Sequence, residues 1–314
     1  MLSGLILVRP AASASLVFDI ATSKEVYNAA ETLEIDGNIS NSGTPVPDAL
    51  VLLQIDNPKN SVWVIRTLTT GQAPAGPFPV EVLNVTTTDS TGRPKDLFNR
   101  GEDAGFKVAI RNNAGSAYAV NVTVNLFYSN GVPFKLFTIY NGILGAGEPP
   151  VVASTWPITI PTDAAAGQAT ACVSIFSSLP NETGFAYAPE KTGTFRIVTG
   201  GGGPAPPANE PGTFNFAIPL LSRAPSVGNY SIYARTRYGP MIASNSTIFG
   251  VILAGDLNHD GNINMKDIAI GAKAFSTRPG DILWNAVADI NKDGKVDMKD
   301  IAVIAKEFGM TTTP

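Results

Sequence analysis

From Ser15 to about Ile252, the pattern of apolar and polar residues is mainly of period two. That period is the signature of strands that bury every second side chain. SLVFDIAT (15–22), TLEIDGNIS (32–40), ALVLLQID (49–56) and SVWVIRTL (61–68) are short runs rich in β-branched and aromatic residues. NSGTPVPD and NPKN between them are turn chemistry. A second block, from about Val80 to Val198, holds FKVAIRN, VNVTVNLFYS, WPITI, TACVSIFS and GTFRIV. GTFNFAIPL (212–220), NYSIYARTRYG (229–239) and NSTIFGVIL (245–253) follow it. The body is therefore predicted to be β-sandwich. Beyond residue 255 the period changes. Ile268, Ala272 and Phe275 recur at helical spacing, and Ile301, Ala305 and Phe308 repeat the pattern. These faces are expected to form the core of a small module, with part of them open to a partner.

The chemistry of the chain concentrates in that module. DLNHDGNINMKDIAIGAKAF (256–275) and DINKDGKVDMKDIAVIAKEF (289–308) repeat at an offset of 33 and are identical at 12 of 20 positions. Each opens with D-x-N-x-D-G, the first half of a calcium loop of EF-hand type. A hard cation takes six to eight oxygens at roughly 2.3–2.6 Å. Oxygen side chains at positions 1, 3 and 5 of a tight turn converge on one point, and Gly at position 6 lets the backbone turn. Position 7 lends a carbonyl, and a carboxylate at position 12 closes the cage. The first loop thus offers Asp256, Asn258, Asp260, the Asn262 carbonyl and Asp267. The second offers Asp289, Asn291, Asp293, the Lys295 carbonyl and Asp300. Asn264 and Asp297, at position 9, are expected to act through water. Ile263 and Val296, at position 8, are expected to pair the two loops in a small core. His259 occupies position 4, where Lys292 stands in the other repeat, and reads as a solvated loop residue.

This duplicated loop–helix pattern resembles the type I dockerin module over about 255–309. The connector Arg278-Pro279-Gly280-Asp281-Ile282-Leu283-Trp284-Asn285 resembles the archaeal variety. The resemblance implies two bound Ca2+ ions and docking on a cohesin-like domain. It places recognition at loop positions 10 and 11, here Met265, Lys266, Met298 and Lys299 in place of the Ser-Thr pair of many cellulosomal modules. The blander alternative is that calcium only staples a domain too small to hold itself together.

Two resemblances bear on the body. Tyr27 to Gly37, Pro47 to Gln54, Gly212-Thr213-Phe214-Asn215-Phe216 and Gly228-Asn229-Tyr230 resemble a macroglobulin-like domain of immunoglobulin type. The middle block, with Arg100-Gly101-Glu102 and Arg111-Asn112-Asn113-Ala114-Gly115, resembles the cell-adhesion-related CARDB-like domains. They imply a mainly β chain: two immunoglobulin-like β-sandwiches, one inserted in the other, plus a small α-helical calcium-binding module. The expected boundaries are 15–73 with 211–253 for the discontinuous sandwich, 78–199 for the inserted one and 255–309 for the module. Gly200 to Pro207 opens a Gly/Pro linker over 200–210 and lacks the Gly-Lys-Ser/Thr of a phosphate loop. Residues 1–14 read as a signal-like segment, with Leu2–Val8 apolar and Ala12-Ser13-Ala14 as cleavage site, or, if retained, as a strand donated to a neighbouring subunit.

Composition narrows the function. The net charge of −4 leaves no basic surplus for nucleic acid. One His and one Cys exclude a Cys/His metal centre and an internal disulfide. Cys172 shares a strand face with Thr170 and Ser174 and reads as an inert packed thiol. N-x-S/T sites at Asn38, Asn84, Asn121, Asn181, Asn229 and Asn245 suggest N-linked glycans on an exported protein. No run reaches the roughly 18 apolar residues of a membrane helix. The sequence reading is thus an extracellular, cell-surface scaffold or adhesion protein without catalysis. Its partner is a cohesin-like domain or copies of itself. The alternative is a filament or tube subunit joined by strand donation. A carbohydrate-active enzyme is the least supported, because no acidic pair outside 256–300 can be nominated.

Overall fold

The computed structural model describes residues 15–29, 31–71, 76–155, 157–198, 211–220 and 227–311. The segment 1–14 and the linker 200–210 lie outside the described residues. The chain is mainly β, with two helices near the C-terminus. The first strands are β1 (Leu16–Thr22), β2 (Val26–Asn28), β3 (Thr32–Asn41), β4 (Thr44–Pro45), β5 (Leu50–Asp56) and β6 (Val62–Thr69). The middle block supplies β7 (Val80–Thr88), β8 (Leu97–Phe98), β9 (Asp103–Asn112), β10 (Tyr118–Phe127) and β11 (Pro133–Leu144). It continues with β12 (Val151–Ser154), β13 (Ile158–Thr159), β14 (Gly167–Phe176) and β15 (Lys191–Ile197). Then come β16 (Thr213–Pro219), β17 (Gly228–Tyr238) and β18 (Met241–Ile252).

Strands from both sides of the middle block share sheets. β3 lies between β1 and β16, with Ile35 opposite Thr22 on one side and Phe216 on the other. β4 pairs with the end of β3. The facing sheet runs β2-β18-β17-β5-β6. Alternation sets the buried face: in β3, Leu33, Ile35, Gly37 and Ile39 point inward, while Thr32, Glu34, Asp36 and Asn38 point outward. The core is rich in aromatic rings, with Tyr230 stacked on Phe249 at 5.0 Å and Tyr27 edge-on to the same ring at 5.7 Å.

The middle sandwich stacks β11-β10-β14-β15-β8 on a sheet in which β9 pairs with β7, β12 and β13. β10 and β14 are apolar on one face and mixed on the other, yet both faces are buried. Val122, Val124 and Leu126 fill their own core. Phe127 and Cys172, from the other face, join the core of the first sandwich. Phe176 packs with Leu52 and Ile65 in a smaller cluster between the two. Arg66 closes this junction. Its guanidinium grips Glu190 with Nε–Oε2 at 2.8 Å and Nη2–Oε1 at 2.5 Å, over the rings of Phe127 and Phe216. Cys172 lies beside them, 4% exposed. Burial, aided by Glu190, pushes its thiol up to about 12, so it is held as an unreactive thiol.

Two long strands, β7 and β11, are not among the runs read from the sequence. β11 has half-buried residues on both faces, as befits an edge strand, so its hydrophobic period is blurred.

Candidate metal centre

The helices α1 (Met265–Ala274) and α2 (Met298–Lys306) each follow one acidic loop. Both start at a capping box. Asn264 Oδ1 accepts the Lys266 N–H at 2.9 Å, and Asp297 Oδ1 accepts that of Lys299 at 2.8 Å. The Asp267 and Asp300 carboxylates reach back to the N–H of Asn264 and Asp297, at 2.9 and 2.8 Å. In this structure the position-9 side chains are helix caps, a role the sequence reading passed over. The available signal was Asn or Asp followed three residues later by an acid, just before an apolar run.

The same two carboxylates organise the loops. Asp267 Oδ1 accepts the N–H groups of Leu257 and Asn258 at 2.9 and 3.3 Å. Asp300 Oδ1 takes those of Ile290 and Asn291 at 2.9 and 3.1 Å. Asp256 accepts from Asp260 and Gly261 at 3.2 and 2.9 Å, and Asp289 from Asp293 and Gly294 at 3.1 and 3.0 Å. Asn258 and Asn291 accept the N–H of Asp260 and Asp293 at 2.8 and 2.9 Å. The backbone twice enters the left-handed region in each loop. His259 and Lys292 have φ of 57° and 58°, and Gly261 and Gly294 have 79° and 84°. His259 is exposed.

Four carboxylates, on Asp256, Asp267, Asp289 and Asp300, are buried, and among the described residues none of them forms an ion pair. Buried charge of this kind is balanced by hydrogen bonds, by a counter-charge or by a metal. No three Asp, Glu, His or Cys side chains converge among the described residues. The donors each loop offers are mixed: carboxylates, an Asn amide and a backbone carbonyl. All are hard oxygens, and the set fits Ca2+ rather than a soft metal. Asp260 and Asp293, at position 5, lie within 3.1 and 3.4 Å of Lys266 Nζ and Lys299 Nζ. The Lys266 ammonium holds the Asp260 carboxyl below its ordinary range, and Lys295 does the same to Asp297. Asn262 Nδ2 donates to the Asp260 carbonyl at 3.0 Å, and Lys295 Nζ pairs with Asp297 at 2.6 Å.

Met265 and Met298 are each 66% exposed, and Lys266 and Lys299 flank them with exposed side chains. The two repeats therefore display the same Met-Lys pair. The helix faces match the expectation only in part: Ile268 and Ile301 pack against the module core. Ala272 and Ala305 are exposed, and Phe275 and Phe308 are largely so, while the inward face carries Asp267, Gly271 and Ala274 on α1 and Asp300, Ile304 and Glu307 on and just past α2. Hydrophobic spacing does not mark the inward face fully, because an acid that must reach back into its loop and a glycine at the helix contact occupy part of it. α1 also ends at Ala274, so Phe275 is off the helix. Ile263 and Val296 do share the module's core. Their backbones, however, pair crosswise with the exit of the other repeat's helix: Ile263 with Gly309 and Met310, Val296 with Ser276 and Thr277.

Four of the six sequon asparagines, Asn38, Asn84, Asn181 and Asn229, are exposed. Asn121 and Asn245 are half-buried, and their Nδ2 groups donate to the carbonyls of Ser177 and Phe18 at 2.8 and 2.9 Å. Among the described residues no helix is long and apolar enough to cross a membrane.

Among solved structures the chain is similar to a Pseudomonas fluorescens alkylpurine DNA glycosylase bound to DNA containing an abasic site analog. The identity is 15% and the TM-score 0.29, covering 39% of this chain and 31% of that one. It is also similar to a CARDB domain of a Pyrococcus furiosus protein, solved in complex with di-metal ions. There the identity is 16% and the TM-score 0.25, covering 38% of this chain and 90% of that one. A third likeness, to a Salmonella alpha-2-macroglobulin mutant, has 12% identity and a TM-score of 0.16, covering 78% of this chain and 24% of that one. The chain thus spans about a third or less of the glycosylase and of the macroglobulin, and these superpositions are too loose to bear on function. No curated protein sequence matches the chain. Residues 254–309 match the family of dockerin type I domains, and this part of the chain is a dockerin, a module that binds calcium.

Proposed function

We propose that the chain is an extracellular, non-catalytic surface or scaffold protein whose dockerin module, loaded with two Ca2+ ions, docks it onto a cohesin-like domain. Asp256, Asn258, Asp260, the Asn262 carbonyl and Asp267 would hold one ion; Asp289, Asn291, Asp293, the Lys295 carbonyl and Asp300 would hold the other. When bound, calcium supplies the counter-charge for the buried carboxylates. The chain's own residues do the rest: the two position-12 carboxylates cap their helices, and the helices present the Met-Lys pairs to a partner. The observation that carries this reading is the duplication itself: two loop–helix units with the same hydrogen bonds at the same positions, laced crosswise through Ile263 and Val296. The two sandwiches (about 15–73 with 211–253, and 78–199) serve as the body that the module anchors. Exposed sequons at Asn38, Asn84, Asn181 and Asn229 suit glycans on an outward face.

Calorimetric titration of the chelator-stripped chain with Ca2+ tests the reading. We expect two ions per chain, and a module that melts at lower temperature in EDTA while the sandwiches melt unchanged. Zero stoichiometry, with identical melting in EDTA and Ca2+, would refute it. Sedimentation in the same buffers separates partners: calcium-dependent self-association would assign copies of the chain, not a cohesin-like domain, to the docking face.

A further inference from the structure

The joint between the dockerin module and the first sandwich contains a group that the docking role does not use. Only Leu253, Ala254 and Gly255 separate β18 from the first loop. Leu253 and Met310 pack against both the sandwich core and the module core, so the two bodies meet directly. Glu307, one residue past α2, is fully buried in this joint. Its Oε2 accepts the Gly255 N–H at 2.7 Å. Its Oε1 has no hydrogen-bond partner among the described residues. A buried carboxylate oxygen without a donor is costly when charged. Gly255 is tightly seated: a Cβ there would lie 3.1 Å from both Glu307 Oε2 and Ile304 Cα, and 3.3 Å from Ile263 Cδ1.

We propose that Glu307 is a proton-sensitive strap that ties the linker to the last helix and so sets the seating of the module on the sandwich. The charged groups that act on it are few. Glu31, in the turn after β2, acts on Glu307 from the sandwich side, and Lys306 is its neighbour in sequence. Glu31 is itself held in place by Lys24 Nζ at 2.9 Å and by the Asn28 N–H at 3.1 Å. Ionised Glu307 therefore leaves one oxygen without a donor and is repelled by Glu31. Protonated Glu307 still accepts from Gly255 and carries no charge. Burial, reinforced by Glu31, raises the Glu307 pKa above its ordinary 4.5. A raised folded-state value makes acid stabilise the closed joint: the contribution is full below about pH 4.5 and is lost as pH rises through the raised value.

This inference stands apart from the calcium reading, and one experiment separates them. Hydrogen exchange of the Gly255 amide is measured on the full chain in saturating Ca2+ from pH 4 to 8, each rate divided by its intrinsic rate. Protection should fall by up to about tenfold per pH unit above about pH 4.5 and then level off. Glu307→Gln keeps an acceptor and has no charge, so its protection should stay flat. Glu31→Gln, at a half-exposed site, should level off at lower pH than the parent chain. A flat profile in the parent chain, or the same slope in Glu307→Gln, overturns the proposal; if Glu307→Gln fails to fold, an unchanged profile in Glu31→Gln does so. The Gly294 amide, bonded to Asp289 in the second loop, is read in the same spectra with and without EDTA and reports the calcium reading independently.

Discussion

Asp260 and Asp267 show how two acids in one loop divide the work. Asp267 is fully buried and accepts three backbone N–H groups, so it belongs to the fold before it belongs to any ion. Asp260 sits at the loop rim, accepts the Asn262 N–H at 3.0 Å and pairs with Lys266. Removing it takes one carboxylate from the proposed cage and little from the fold. Asp260→Ala should weaken calcium at the first loop by roughly tenfold or more, because ligand charge count tunes such sites over decades. Melting in EDTA should not change. Calorimetry that still shows two equal sites would count against Asp260 as a ligand.

At the scale of elements, close approach is bought with glycine. On β3, Gly37 faces the ring of Phe214 on β16, and a Cβ there would fall 2.0 Å from the ring. Phe214 is 2% exposed and lies edge-on to Phe18 at 6.2 Å, so it has nowhere to retreat. Gly37→Ala should destabilise the first sandwich by about 1–3 kcal/mol, the usual range for overpacking. Urea unfolding checks it, and adding Phe214→Leu should restore part of the loss. The same logic acts in the module, where a Cβ on Gly271 would come within 2.9 Å of Ile301 and Ile304. That glycine lets α1 lie close to α2.

Across the whole molecule, the two sandwiches are fused. Arg66 and Glu190 have side chains only 16% and 13% exposed, and Ile65 N–H donates to Asn125 Oδ1 at 3.2 Å across the same junction. A buried pair is weak evidence of net stability, but breaking one partner strands the other charge. Glu190→Gln should therefore destabilise the body by about 3–5 kcal/mol. It should also let the middle sandwich melt separately in calorimetry. A single transition at the parent temperature would show that apolar packing around Phe176, Leu52 and Ile65 holds the junction alone.

The two acidic loops were legible as candidate calcium sites because the pattern is local: positions 1 to 12 are set by short-range turn geometry, so D-x-N-x-D-G with an acid at position 12 nominates residues without a fold. The strands β3 and β17 were legible for the same reason, since alternation records which face is buried, whereas β5 is an apolar run buried on both faces. Long-range contacts were not. The burial of both faces of β10 and β14, the Arg66–Glu190 clamp, the crosswise pairing of Ile263 and Val296 and the closed joint at Glu307 join residues tens to hundreds of positions apart. Hydrophobic spacing placed Ile268 and Ile301 against the core but missed the rest of the inward face, since an inward Asp267 and Gly271 carry no apolar signal. Local pattern by itself determined where strands, turns and the two acidic loops lie; only three-dimensional packing decided which charges are buried, because burial depends on neighbours that the chain order does not record.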